Sequence, residues 1–117
     1  TLIMEVSERT AGGVSVIGLG GRLDAYAAND IERKLDSLVA AEKVRLVVDL
    51  GQLEYISSSG LRVLLGALKK AREQQGDIIL TGLQPYVKEI FEISGFTQLF
   101  KMFDKAEEAI NSYQQEK

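Results

Sequence analysis

The sequence contains no cysteine and no histidine among its 117 residues. The first absence excludes disulfides, thiolate nucleophiles and zinc–thiolate sites. The second removes the commonest general base and the commonest transition-metal ligand. Proline occurs once and the glycines are scattered, so no collagen-like or linker-like stretch is present. Apolar runs extend over a handful of residues, far short of the roughly 20 needed to cross a bilayer. Thr1 to Glu8 alternate apolar and polar side chains and lack the basic-then-apolar layout of a signal peptide. A cytoplasmic, soluble protein without membrane insertion is the expectation. Positive charge is not in excess: 14 Lys and Arg against 17 Asp and Glu give a net charge of -3. Basic and acidic residues alternate along the predicted helices, as on solvated faces, so direct nucleic-acid binding is not expected.

What remains is an ordinary globular composition, 45% apolar and 26% charged, of a length suited to one domain over residues 1–117 with one core. Leu2, Met4 and Val6 alternate with polar residues, and Val14, Val16 and Ile17 follow the turn signal Gly12-Gly13, which predicts a hairpin. Gly18, Gly20 and Gly21 break that pattern. From Asp24, a plausible N-cap, Tyr26, Ile31, Leu35, Leu38 and Val39 recur at helical spacing. Val44 to Leu50 reads as a strand covered on both faces. A helix over Leu61–Gln75 follows, with Leu61, Leu64, Leu65, Leu68 and Ala71 on one face and Gly76 past its end. Ile78 to Leu80 predicts another buried strand, and Pro85 opens a helix carrying Val87, Ile90 and Phe91 that ends at Gly95. Leu99 to Phe103 reads as a short edge strand. Asp104 and Glu107 have capping-box spacing for a last helix through Ala109, Ile110 and Tyr113. The order β-β-α-β-α-β-α-β-α implies an α/β fold with a mixed sheet, its later strands parallel and joined by right-handed crossovers.

Three segments invite chemistry. Gly18-Leu19-Gly20-Gly21 stands before a helix, but a phosphate-cradling loop needs Lys and Ser or Thr directly after its last glycine, and Arg22-Leu23-Asp24 follows instead. A tight strand-to-helix turn explains these glycines better than a nucleotide does. Asp24 and Asp49 could form a carboxylate pair for acid–base hydrolysis if the fold brings them to one sheet edge. Each is equally well explained as a cap or turn residue, and no complete catalytic constellation accompanies them. No cofactor and no metal are expected. The third segment is Ser57-Ser58-Ser59-Gly60-Leu61. One serine suffices to cap a helix; three followed by glycine place surplus hydroxyls at a βα junction, where α/β proteins commonly carry function.

These residues resemble a known family. Val47-Val48-Asp49-Leu50, then Ile56-Ser57-Ser58-Ser59-Gly60-Leu61 with Leu64-Leu65, are similar to the STAS domain of anti-sigma factor antagonists. Gly21-Arg22-Leu23-Asp24, Thr81-Gly82-Leu83-Gln84-Pro85-Tyr86-Val87 and Ser94-Gly95-Phe96 onward to Ala109 agree in order, through nearly the whole chain. The resemblance implies about four helices packed mainly on one side of the sheet, and no catalysis by this chain. It also implies an anti-sigma factor that is a serine protein kinase as partner, and a PP2C-type phosphatase that reverses the kinase. The phosphoacceptor is implied two residues before the glycine, at Ser58. The chain departs from the best-studied relatives at Ser57, where they carry Asp, so Ser57 is a second candidate hydroxyl and Ser59 is read as the helix cap. Asp24, Ser57, Ser58, Ser59, Gly60 and Leu61 form the expected partner-binding face. A different role on the same fold, as a scaffold of a stress-sensing complex or a regulatory subunit of a membrane transporter, stays open. The sequence leaves the oligomeric state open as well.

Overall fold

A computed structural model describes residues 4–115. Leu2, expected in the first strand, lies outside them. Strand β1 (Glu5–Ala11) turns at Gly12-Gly13, both at positive φ, into β2 (Val14–Leu23). There follow helix α1 (Ala25–Ala40), β3 (Arg45–Ile56), α2 (Ser58–Glu73), β4 (Asp77–Thr81), α3 (Pro85–Ile93), a 3-10 turn at Phe96–Gln98, β5 (Lys101–Phe103) and α4 (Ala106–Gln114). The strands lie side by side in chain order; β1 is antiparallel to β2 and every later pair is parallel. This is the expected mixed α/β sheet.

Alternation along the strands divides the apolar residues between two layers. Ile17, Leu19, Leu23, Leu46, Val48, Leu50, Ile78 and Leu80 face α1, α2 and α3 in the main core. Val14, Val16, Val47 and Ile79 face the opposite way, where α4 lays Ala106, Ala109 and Tyr113 across them. The Tyr113 hydroxyl is buried in that smaller core, accepting from the Leu46 N–H at 3.2 Å and donating to the Leu46 carbonyl at 2.9 Å. On the main side, Lys70 of α2 donates to Asp36 of α1 at 2.9 Å; this hydrogen bond, and then the carboxylate charge, raise the pKa of the lysine.

Several boundaries differ from the sequence reading. The glycines after Ile17 do not end the strand or make a turn into the helix. Gly18, Gly20 and Gly21 lie inside β2, because the strand meets its neighbour closely there and shifts register. A Cβ on Gly18 would stand 2.5 Å from Ser7 Oγ, and Gly21 sits at φ 92 beside a register shift, the two situations in which a strand favours glycine. Between the pairs Gly18–Asp49 and Leu23–Ile56, β3 advances seven residues while β2 advances five. The two extra residues are bulges that carry β3 to Ile56, well beyond Leu50. Tyr26 is not a core residue: it is 90% exposed, since the five-residue step to Ile31 rotates it about 140° away at 3.6 residues per turn. Helix α4 starts one residue later than predicted. Glu108, not Glu107, accepts from the N–H of the cap residue, Lys105, at 3.1 Å, while Glu107 pairs with Arg9 of β1.

Two buried hydroxyls predict opposite outcomes. Tyr113→Phe leaves the Leu46 groups without their buried partner and should cost about 1–3 kcal/mol. The Thr81 hydroxyl is fully buried with no hydrogen-bond partner among the described residues, so Thr81→Val should leave stability unchanged or raised. Urea unfolding of both variants measures the two effects.

Candidate functional site

The site is built where β2 and β3 end. Leu23 and Ile56 are register partners, and the Ser57 N–H donates to the Leu23 carbonyl at 2.9 Å, the last bond of this parallel pair. The next residue on each strand is a helix cap. Asp24 Oδ1 accepts from the Ala27 N–H at 2.9 Å and opens α1; Ser57 Oγ accepts from the Gly60 N–H at 3.1 Å and opens α2. Both caps are extended in backbone, and both satisfy the N–H three residues on. Two helix N-termini therefore start from neighbouring strand ends.

The cap of α2 is Ser57 rather than Ser59. Ser57 is the last extended residue (φ -90, ψ 170), so helical geometry begins at Ser58 and Ser59 already lies within the first turn. Of the three hydroxyls, Ser57 and Ser59 are half-buried, and Ser58 is exposed. Gly60 is buried because α2 lands directly on the strand ends: a Cβ there would stand 2.8 Å from Leu23 Cγ and 3.0 Å from Ile56 Cγ1. Leu61, half-buried, packs against the main core. The structure thus brings Asp24, Ser57, Ser58, Ser59, Gly60 and Leu61 to one corner, with Ser58 outermost.

Asp24 and Asp49 do not form a pair. Asp49 lies level with Gly18, five β2 residues before Leu23, a separation of roughly 16 Å at about 3.3 Å per residue. Its Oδ1 accepts from the Gly51 N–H at 2.9 Å. It borders a groove of about 420 Å³ on the α4 side of the sheet, floored by Gly18, Gly20 and Gly51. The carboxylate pair considered from the sequence is not assembled. Among the described residues, no group of three or more acidic side chains is placed to hold a metal ion, and no helix is long and apolar enough to cross a membrane. Tyr26, read from the sequence as part of the apolar helix face, is instead exposed in the first turn of α1 next to the Asp24 cap. Its five-residue offset from Ile31 was the available signal.

The STAS domain family model matches residues 5–109. A Bordetella bronchiseptica protein named "Putative anti-sigma factor antagonist BtrV" is 40% identical over 101 residues, which make up 86% of this chain and 87% of that one. A crystal structure of an anti-sigma factor antagonist from Mycobacterium paratuberculosis superposes with a TM-score of 0.88 at 22% identity, covering 97% of this chain and 96% of that one. The phosphorylated form of SpoIIAA, a Bacillus cell fate determinant, superposes with a TM-score of 0.75 at 25% identity, covering 95% and 99%.

The corner predicts its own sensitivities. Ser57→Ala should cost about 1 kcal/mol through the lost cap. Gly60→Ala should cost about 1–3 kcal/mol, because Leu23 or the start of α2 must move. Thermal unfolding reports both.

Proposed function

The chain belongs to the STAS domain family, and on that premise we propose that it is an anti-sigma factor antagonist switched by phosphorylation of Ser58. Unphosphorylated, it binds in the cytoplasm an anti-sigma factor that is also a serine protein kinase, and the sigma factor is thereby freed. The kinase transfers the γ-phosphoryl group of ATP. The Ser58 Oγ–P bond forms as the bond from phosphorus to ADP breaks, and the hydroxyl proton leaves to the kinase or to water. A PP2C-type phosphatase hydrolyses the ester. The chain, acting as one domain, supplies a surface and an acceptor hydroxyl and no catalytic group.

The observation that carries this reading is the division of labour among the serines. Ser57 already caps α2, which leaves the exposed Ser58 hydroxyl with no structural duty at the corner it shares with Asp24. The name of the Bordetella relative supports the partner class, and the phosphorylated Bacillus relative supports the modification. A phosphate at Ser58 adds about -1.5 to -2 charges at neutral pH. At the first residue of a helix this charge meets the positive end of the dipole, a favourable contribution of roughly 0.3–1 kcal/mol. The modified domain therefore stays folded, and the switch acts at the partner contact through bulk and charge in a desolvated surface. A penalty of about 2.8 kcal/mol there weakens binding roughly a hundredfold.

Incubation with the cognate kinase and ATP, followed by mass spectrometry, should place the phosphate on Ser58. Ser58→Ala should bind the kinase and accept no phosphate, while Ser58→Glu should lose the partner with its melting temperature kept within a few degrees. Phosphate on Ser57 would instead disturb the cap and lower the melting temperature. A kinase that modifies none of Ser57, Ser58 and Ser59 would defeat the regulatory reading in favour of a scaffold or transporter subunit.

A further inference from the structure

Outside the corner itself, one cation of α2 stands apart from the others. Lys70 is held by Asp36 and Arg72 by Asp77, and Lys69 has Glu73 one turn on. Arg62 has no ion pair or hydrogen bond among the described residues, and it is exposed. The positions on α2 that its side chain can reach, three and four residues to either side, are Ser58, Ser59, Leu65 and Gly66. None is acidic. Arg62 is therefore a guanidinium with no carboxylate within reach on its own helix, one turn from the exposed Ser58.

We propose that Arg62 is the intramolecular receptor for a phosphate on Ser58, closing over it in a charge-assisted, bidentate contact. This rests on Ser58 being the phosphoacceptor and adds what the phosphate does once it is there. The geometry is favourable in three respects. Residues i and i+4 of a helix are stacked neighbours, and an anion N-terminal to its cation is the better order. A guanidinium fork matches two phosphate oxygens, and such bonds are about twice as strong as neutral ones. Ser58 is also the first helical residue, whereas Ser57 lies outside the helix and five positions from Arg62. The serines thus differ in what would receive their phosphate. In the unmodified protein the guanidinium is free for a partner's acidic group; in the modified protein it is drawn back onto α2. One modification thereby adds an anion to the face and withdraws a cation from it.

The test bypasses the kinase by installing phosphoserine at position 58 of the full chain through genetic code expansion. Arg62, Arg62→Lys and Arg62→Ala proteins are then compared, each with and without the phosphate. Phosphoserine should shift the Arg62 Nε–H resonance downfield and slow its exchange with water, and 0.5 M salt should weaken the effect. It should raise the melting temperature by a few degrees with Arg62, by an intermediate amount with Lys and by less than half as much with Ala. An Arg62 resonance unmoved by the phosphate, or an equal rise in all three proteins, would overturn the proposal. Because no kinase is used, these outcomes are independent of whether the kinase chooses Ser58.

Discussion

The corner depends on the parallel pairing of β2 with β3 up to its last bond, Ser57 N–H to the Leu23 carbonyl at 2.9 Å. Parallel neighbours end on the same edge of a sheet, and each must then leave it through a crossover. Here both exits are helices, and both are capped one residue past the Leu23–Ile56 pair. The two caps, the glycine on which α2 rests and the outward Ser58 are consequences of that one register. Had β3 lacked its two bulges, Ile56 would overrun Leu23 by two residues and the caps would no longer be level.

Much of this was legible in the residues. The hairpin, the buried runs of β3 and β4, the proline at the start of α3 and the glycine after it all use local signals, and all appear where those signals stand. The serine cluster likewise stood out as an excess over capping need. Less legible were the features set by contacts between strands. The glycines of β2 look like a break because glycine is punctuation in isolation. Only the approach of Ser7 and the register shifts beside β3 make them strand residues. Which serine caps α2 also depends on where β3 stops, and bulges that no local pattern announces decide that. Asp24 and Asp49 could be imagined as a pair for the same reason: their separation is a property of register and not of composition.

The corner also separates residues committed to folding from residues left at the surface. Asp24, Ser57 and Gly60 are committed to folding: each fills a backbone need or a steric gap, and each has its partner inside the domain. Ser58, Arg62 and Tyr26 are exposed and contribute little to the core. Exposed side chains held on a rigid base can change partner or charge without changing the fold, which suits the proposed phosphorylation of Ser58. The helix dipole favours rather than resists the added anion, so a change in binding does not require a change in structure.

The lone helix on the reverse face has a consequence for how the molecule breathes. Helix α4 covers its side of the sheet with two alanines, one tyrosine and the half-buried Ile110, a thin seam beside the layer formed by α1, α2 and α3. Openings below the global unfolding free energy fall along such seams, so amides of α4 should exchange with solvent sooner than those of Val47 and Val48 in the middle of β3. The side chains bared by such an opening are Val14, Val16, Val47 and Ile79, an apolar patch of the kind that promotes self-association. The corner of Asp24 and Ser58 lies at the far end of the strands and against the other layer, so the domain can loosen behind while that corner stays in place.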